Sequence, residues 1–306
     1  MKILFLRKVN LWLQNSNMNI LIESGATKST CIGYKDRCTF FIYKTVGINA
    51  TYAKKEEIYA VFQDIIVKNR IAAHEIEKIN YYGAGCFNEN NAKKVKEVLT
   101  SLFPNAAISV FSDLHAACHA LCKAQKGFVG ILGTGAASCL YDGVKIVDKA
   151  PSLGYLLGDE GSGAYLGKQF LTHYLNNKIK PEIAQDFEET FSVTKQRVFA
   201  KVYQTAHPQN FFASIPIFLH KHLEKEQIES LVVCSFQVFF DKQIEYYKKM
   251  EYPWFFCGSI AYYFQDILNE VAYKNHIEIG KIVQECALVI SQDNQWRQKM
   301  DMLNIH

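Results

Sequence analysis

Eleven residues in mid-chain, Leu153-Gly154-Tyr155-Leu156-Leu157-Gly158-Asp159-Glu160-Gly161-Ser162-Gly163, constrain the fold more than any other stretch. Four glycines and a serine surround an adjacent Asp–Glu pair, and a helical pattern follows at once over residues 164–175. Glycine at this density lets the backbone approach a partner closely. A carboxylate ahead of a helix start either caps that helix or faces a polar ligand. On its own the stretch reads equally well as a Gly-rich turn capped by Asp159.

Two further turns bear on that choice. Phe128-Val129-Gly130-Ile131-Leu132 reads as a buried strand; Gly133-Thr134-Gly135 follows, and residues 136–141 read as another strand. Backbone N–H groups in such a turn can form an anion-binding concavity. Near the N-terminus, Asn19-Ile20-Leu21-Ile22-Glu23 reads as a strand and Ser24-Gly25-Ala26-Thr27-Lys28-Ser29-Thr30 as a turn of small and hydroxyl residues. It is not a G-x-x-x-x-G-K-[ST] loop: no helix follows, and Cys31-Ile32-Gly33-Tyr34 continues as strand.

Together with a late Phe256-Cys257-Gly258-Ser259-Ile260-Ala261, these motifs resemble the sugar kinase/Hsp70/actin superfamily. Within it the chain is similar to the BadF/BadG-type ATPases and, most closely, to the N-acetylglucosamine kinases, from about residue 19 to about residue 290. The resemblance implies an α/β protein: two actin-like ATPase (ribonuclease H-like) domains, each with a mixed central sheet flanked by helices, and an interdomain cleft. The domains are expected over residues 18–114 and 115–306, with a last helix at about 281–291 packing back on the first. Residues 1–17 read as an appended segment: their apolar core is short, interrupted by charge, and lacks a signal-peptide cleavage site.

Length and composition agree with that frame. A chain of 306 residues is long enough for two cores. A net charge of +4, without Lys/Arg runs, argues against nucleic acid and against a polybasic membrane surface. The nine cysteines are scattered without a C-x-x-C pair, which reads as reduced core residues of a cytoplasmic protein. His115, Cys118, His119 and Cys122 share one helix face. Four ligands on one straight helix do not readily enclose a tetrahedral metal, so a buried face of small residues is expected.

Strands are expected over residues 20–22, 29–34, 39–43, 79–82, 108–111, 128–132, 137–141 and 254–257. Helices are expected over 55–69, 91–102, 114–123, 226–249, 259–273 and 281–291, by apolar residues at helical spacing. A meander followed by helix–strand alternation, repeated in part from Phe128, is the pattern of a duplicated α/β unit.

Asp113 follows the apolar strand Ile108-Ser109-Val110-Phe111, where a carboxylate in an α/β sheet points into the ligand crevice; capping the next helix is the plainer alternative. The resemblance makes Asp113 the general base on a sugar hydroxyl. It implies ATP contacts at Ser24, Gly25, Thr27, Lys28, Gly133, Thr134, Gly135, Gly258 and Ser259, and sugar contacts at Asn49, Asp113, Thr134, Gly154, Tyr155 and Asp159. It also implies Mg2+ held through water by Glu23. Departures from the family pattern are Glu23 for an aspartate, Ala26 for Ser or Gly, Thr30 for an acid and Tyr155 for a tryptophan. The expected reaction is ATP-dependent phosphorylation of an amino sugar, N-acetylglucosamine at its 6-hydroxyl. The alternatives are a BadF-like ATPase activating a partner enzyme and a catalytically weakened sugar-binding sensor. The expected partner is the small-molecule sugar, with no nucleic acid and no membrane; a homodimer is compatible with this reading.

Overall fold

The computed structural model describes residues 18–35 and 38–293; the segment expected to be appended, residues 1–17, lies outside them. The described chain forms two compact units, one of residues 18–120 with 286–293 and one of residues 121–285.

In the first unit, β1 (Met18–Ser24), β2 (Lys28–Lys35) and β3 (Cys38–Val46) form an antiparallel meander. Strands β4 (Ile76–Gly83) and β5 (Ala107–Ser112) then add parallel to β1, giving the order β3-β2-β1-β4-β5. Parallel neighbours need crossover helices, here Lys55–Asn69 before β4 and Glu89–Leu102 before β5. The first of these buries Ile58, Phe62 and Ile65 and stops where Arg70 turns left-handed. The second starts at Asn88, whose side chain accepts from the amides of Asn90 and Asn91. Central β1 buries Ile20, Leu21 and Ile22 in succession, as a strand covered on both faces must.

The second unit repeats the topology. Strands β6 (Gly127–Leu132), β7 (Ala136–Tyr141) and β8 (Ile146–Lys149) form the meander; β9 (Trp254–Cys257) and β10 (Ile279–Val283) add in parallel, in the order β10-β9-β6-β7-β8. The duplication that the sequence shows in part is therefore complete, because β8 and β10 exist. Each is a short edge strand, with too few alternating residues to stand out. The helix expected over 281–291 is corrected accordingly. Its first residues form β10, where β-branched Ile279, Ile282 and Val283 pair with β9, and the helix proper is Cys286–Gln292, packed on β1 and β2. The helix expected over 259–273 breaks at Phe264 into Ser259–Tyr263 and Gln265–Lys274. Beyond Ala117, the helix that starts at Asp113 continues as a π-helical turn over Cys118–Cys122.

Aromatic rings build the core of the second unit. Phe187 lies 4.9–5.7 Å from Phe170, Tyr174 and Phe218, and Trp254 stacks between Phe128 at 5.1 Å and Phe256 at 5.5 Å. Burying each such ring contributes ~1.5–3 kcal/mol, which ties the long helix Glu226–Tyr247 and its neighbours to the sheet that carries the Gly-rich turns. No described helix is long and apolar enough to cross a membrane.

Candidate active site

The first unit gathers its turns at the carboxyl ends of β1, β4 and β5. Register does this: Ser24 pairs with Gly83, and Gly83 with Ser112. The Ala84 amide donates to Ser24 O at 2.8 Å, and the Ala50 amide donates to Ala84 O at 2.9 Å. Glu23, Asn49 and Asp113, which are far apart in sequence, are thus carried by adjoining segments at one sheet edge.

Ser24 is fully buried and its hydroxyl is committed inside the protein. It lies 2.7 Å from Ser29 Oγ and accepts from the Ile48 amide at 2.8 Å. Ser29 in turn donates to Val46 O at 2.9 Å. Ser24 therefore fastens the 24–28 turn to the loop that carries Asn49. The turn is closed by Gly25 N donating to Lys28 O at 2.9 Å. A Cβ on Gly47 would sit 2.5 Å from the amide nitrogens of both Thr27 and Lys28, so only glycine allows these two loops to meet.

Asn49 uses Oδ1 to accept from the Thr51 amide at 3.0 Å, an Asx turn. Its side-chain NH2 is the donor it can offer a ligand. Gly85, with φ +81°, leaves the room: a Cβ there would lie 2.7 Å from Asn49 Oδ1 and 2.6 Å from Thr51 Oγ1. Sequence reasoning missed Gly85, although Gly83-Ala84-Gly85 directly after an apolar strand was a legible signal. It also missed Lys94, which donates to Ala50 O and Ala53 O at 2.6 and 2.8 Å and braces the Asn49 loop from below.

Asp113 is partly buried at the first position of its helix, and Oδ1 accepts from the Leu114 amide at 3.0 Å. The plainer reading of Asp113, that it serves the helix start, is thus realised. Ser112 Oγ lies 2.8 Å from His115 Nδ1, which holds the same turn. Burial alone pushes the His115 imidazole below its ordinary pKa, so near neutral pH it lends Asp113 no positive charge. Glu23 Oε2 accepts from the Ala287 amide at 2.6 Å. The carboxylate that the resemblance gives to magnesium is engaged at the start of the helix Cys286–Gln292, where exposed amides favour an anion.

The second unit repeats the arrangement at the carboxyl ends of β6 and β9. Gly133 N donates to Gly135 O at 3.0 Å and closes the Gly133-Thr134-Gly135 turn. The amides of Gly163 and Ala164, at the start of the helix Gly163–Leu175, donate to Gly133 O and Thr134 O at 2.8 and 3.0 Å. Ser162 caps that helix by accepting from the Tyr165 amide. The cap that the plainer reading would give to Asp159 is therefore supplied by Ser162. Nothing lies within 4 Å of a Cβ built on Gly133, so the outer face of the turn is open, whereas a Cβ on Gly135 would meet Asp159 Oδ2 at 2.8 Å. Gly258 approaches from β9: its Cβ would lie 2.3 Å from Leu132 O. Ser259 opens the helix beyond it. Gly154, at φ +74°, starts the short helix that bears Tyr155, and Lys168 donates to Tyr155 O at 3.0 Å.

Burial raises the Asp159 carboxyl; a hydrogen bond from the Ala136 amide lowers it, Glu160 raises it and Lys168 lowers it, leaving it at about 6 against an ordinary 3.8. The folded protein therefore holds more protons than the unfolded chain between those two pH values. Stability falls as pH rises through that window and stays reduced above it. Asn also tolerates the left-handed backbone, φ 59°, that Asp159 adopts. Asp159→Asn is thus expected to be more stable than the parent by ~1–2 kcal/mol at pH 8, with the advantage gone below pH ~4. Urea unfolding at both pH values measures this; an advantage independent of pH would remove desolvation of Asp159 as its cause.

Neither a family model nor a curated protein sequence matches the chain. Solved structures do. A candidate N-acetylglucosamine kinase from Porphyromonas gingivalis is 31% identical, with a TM-score of 0.85 over 90% of this chain and 98% of that one. A candidate N-acetylglucosamine kinase from Chromobacterium violaceum is 17% identical, with a TM-score of 0.70 over 91% and 99%. A ROK-family glucokinase from Streptomyces griseus, in complex with glucose and AMPPNP, is 14% identical, with a TM-score of 0.54 over 92% and 100%. The last two likenesses are of fold alone.

Proposed function

The chain belongs to the BadF/BadG-type sugar kinase family, and from that premise we propose that it transfers a phosphoryl group from ATP to the 6-hydroxyl of an amino sugar, N-acetylglucosamine. The observation that carries this reading is the register at the end of the first sheet. Paired Ser24, Gly83 and Ser112 bring the 24–28 turn, the Asn49 loop and Asp113 to one edge, while the open Gly133-Thr134-Gly135 turn repeats the same device in the second unit.

Phosphoryl transfer needs alignment and charge neutralisation more than covalent chemistry. In this reading the turns at Gly25–Lys28 and Gly133–Gly135 offer fixed backbone amides to the phosphates, which need no reorganisation as charge develops. The open face at Gly133 fits a phosphate, and Gly258-Ser259 beside it would contact the adenosine. Asn49 and Asp159 would hold sugar hydroxyls, Tyr155 would offer its ring to a sugar face, and Asp113 would accept the proton of the attacking hydroxyl. Bound Mg2+ would supply charge neutralisation between phosphate oxygens. With Oε2 accepting from Ala287, Glu23 would serve magnesium through water with what remains of its acceptor capacity. The engaged Glu23 is also the one observation that favours the weakened, sugar-sensing reading. The partner-activating ATPase is disfavoured, because Cys118 and Cys122 are buried in the helical segment and the structure presents neither at the surface.

A panel of sugars with Mg-ATP, followed by ADP release, tests the proposal: release stimulated by N-acetylglucosamine is expected, and release indifferent to every sugar would overturn it. Glu23 is tested separately. Glu23→Gln keeps an acceptor for the Ala287 amide but loses the charge, so the magnesium concentration for half-maximal turnover should rise with stability little changed. Glu23→Ala also loses the hydrogen bond and should cost ~1.5–3 kcal/mol in unfolding free energy. An unchanged magnesium requirement in both variants would assign Glu23 to the helix clasp alone.

A further inference from the structure

The second unit contains a pocket of about 410 Å³, lined by the start of β7, the 150–153 and 158–160 loops and the helix Glu226–Tyr247. Its size falls in the ~300–1,000 Å³ range of small-molecule sites. Of the residues assigned above to the sugar, Asp159 lines it, whereas Thr134, Gly154 and Tyr155 do not. Asp159 therefore stands on the border between the sugar site and a second volume. Resting on the kinase reading, we propose that this volume is a subsite for a second, neutral sugar residue, so that the acceptor class includes disaccharides of N-acylated amino sugars.

The lining selects such an occupant. Ala136 and Ala137 give apolar wall of the kind that packs against an acyl methyl, with Phe239 buried behind it in the core. Polar groups stand around it in committed geometry. Ser138 Oγ donates to Gln243 Oε1 at 2.6 Å, which leaves the Gln243 NH2 as the donor toward a hydroxyl or acetamido oxygen. Tyr246 donates its O–H to Asp148 at 2.9 Å, so its phenolic oxygen can accept from a sugar hydroxyl. The charge balance disfavours acids: the lining carries three carboxylates, Asp159, Glu160 and Glu245, against one cation, Lys242, already paired with Glu160. A carboxylate in the pocket would meet net negative charge, whereas a neutral hydroxylated ring would not.

The test is calorimetric titration of the full chain, without nucleotide, against three probes: N-acetylglucosamine, N,N′-diacetylchitobiose, and N-acetylmuramic acid as a carboxylated relative. The disaccharide is expected to bind about tenfold more tightly than the monosaccharide, the yield of roughly one additional set of satisfied contacts, and the carboxylated sugar more weakly than either. Gln243→Ala should bring the disaccharide-to-monosaccharide affinity ratio towards unity. Glu245→Lys, at an exposed position, should raise the relative affinity of the carboxylated sugar several-fold. A disaccharide that binds no better than the monosaccharide, or a ratio that Gln243→Ala leaves unchanged, overturns the subsite. If the monosaccharide binds and is phosphorylated while the disaccharide fails to bind, the subsite alone falls; if neither sugar binds, the kinase reading falls and the subsite with it.

Discussion

Asp113→Asn is expected to lower kcat for sugar phosphorylation by ~10²–10⁴-fold while leaving sugar affinity within about threefold of the parent. The substitution separates chemistry from architecture. Asn keeps an oxygen in the place of Oδ1, which accepts from the Leu114 amide at 3.0 Å, so the helix start survives. The Ser112–His115 contact beside it is untouched. What is lost is the basicity that, in the proposed reaction, would take the proton from the attacking hydroxyl. The carboxylate is felt nearby: burial first, and Asp113 second, push the Cys86 thiol up to about 12, while Lys94 pulls it down. That thiol stays protonated near neutral pH and cannot stand in as a base. Steady-state kinetics with thermal unfolding as a control measures the effect. Retained turnover with an unchanged fold would leave Asp113 as a helix cap only.

Much of this site is legible in the sequence because it rests on local backbone chemistry. The Gly133-Thr134-Gly135 turn, the 24–28 turn and Asp113 after an apolar strand are each short segments whose residue types dictate a turn or strand end. The central strands are equally plain, since Ile20-Leu21-Ile22 and Phe128-Val129 are buried on both faces. The edge strands are not. Ile146-Val147-Asp148-Lys149 is half polar, and β10 opens Ile279-Gly280-Lys281, so neither carries enough apolar residues to be told from loop or helix. Contacts across great sequence distance are not legible either. Nothing in a single sequence ties Glu23 to Ala287, which is 264 positions away, or sets Asn49 beside Gly85. The family resemblance implied a metal carboxylate at Glu23; tertiary structure supplied a backbone amide within its reach. The π-helical turn at Cys118–Cys122 is hidden for a similar reason, because its residues suit an ordinary helix and the change of pitch comes from packing.

Gly258→Ala is expected to cost about 3 kcal/mol or more in unfolding free energy, against about 1 kcal/mol for Gly154→Ala. The pair isolates two physical causes. Gly154, at φ +74°, has left-handed backbone, but a Cβ built there meets nothing within 4 Å, so alanine carries backbone strain alone. Gly258 lies at φ 119° and ψ 159°, a region that is essentially glycine's own. A Cβ there would also sit 2.3 Å from Leu132 O and 2.6 Å from Leu132 C. Those atoms are backbone at the end of β6, immediately before the Gly133-Thr134-Gly135 turn, and cannot swing aside as a side chain would. Relief would require moving β9 against β6, which Ile131–Cys257 pairing and the Trp254 stack oppose. The strain and the overlap therefore add. Urea unfolding followed by tryptophan fluorescence measures both variants. Equal losses would mean that the Leu132–Gly258 approach is looser than the geometry shows, and that the Gly133-Thr134-Gly135 turn is not fixed by the strand beside it.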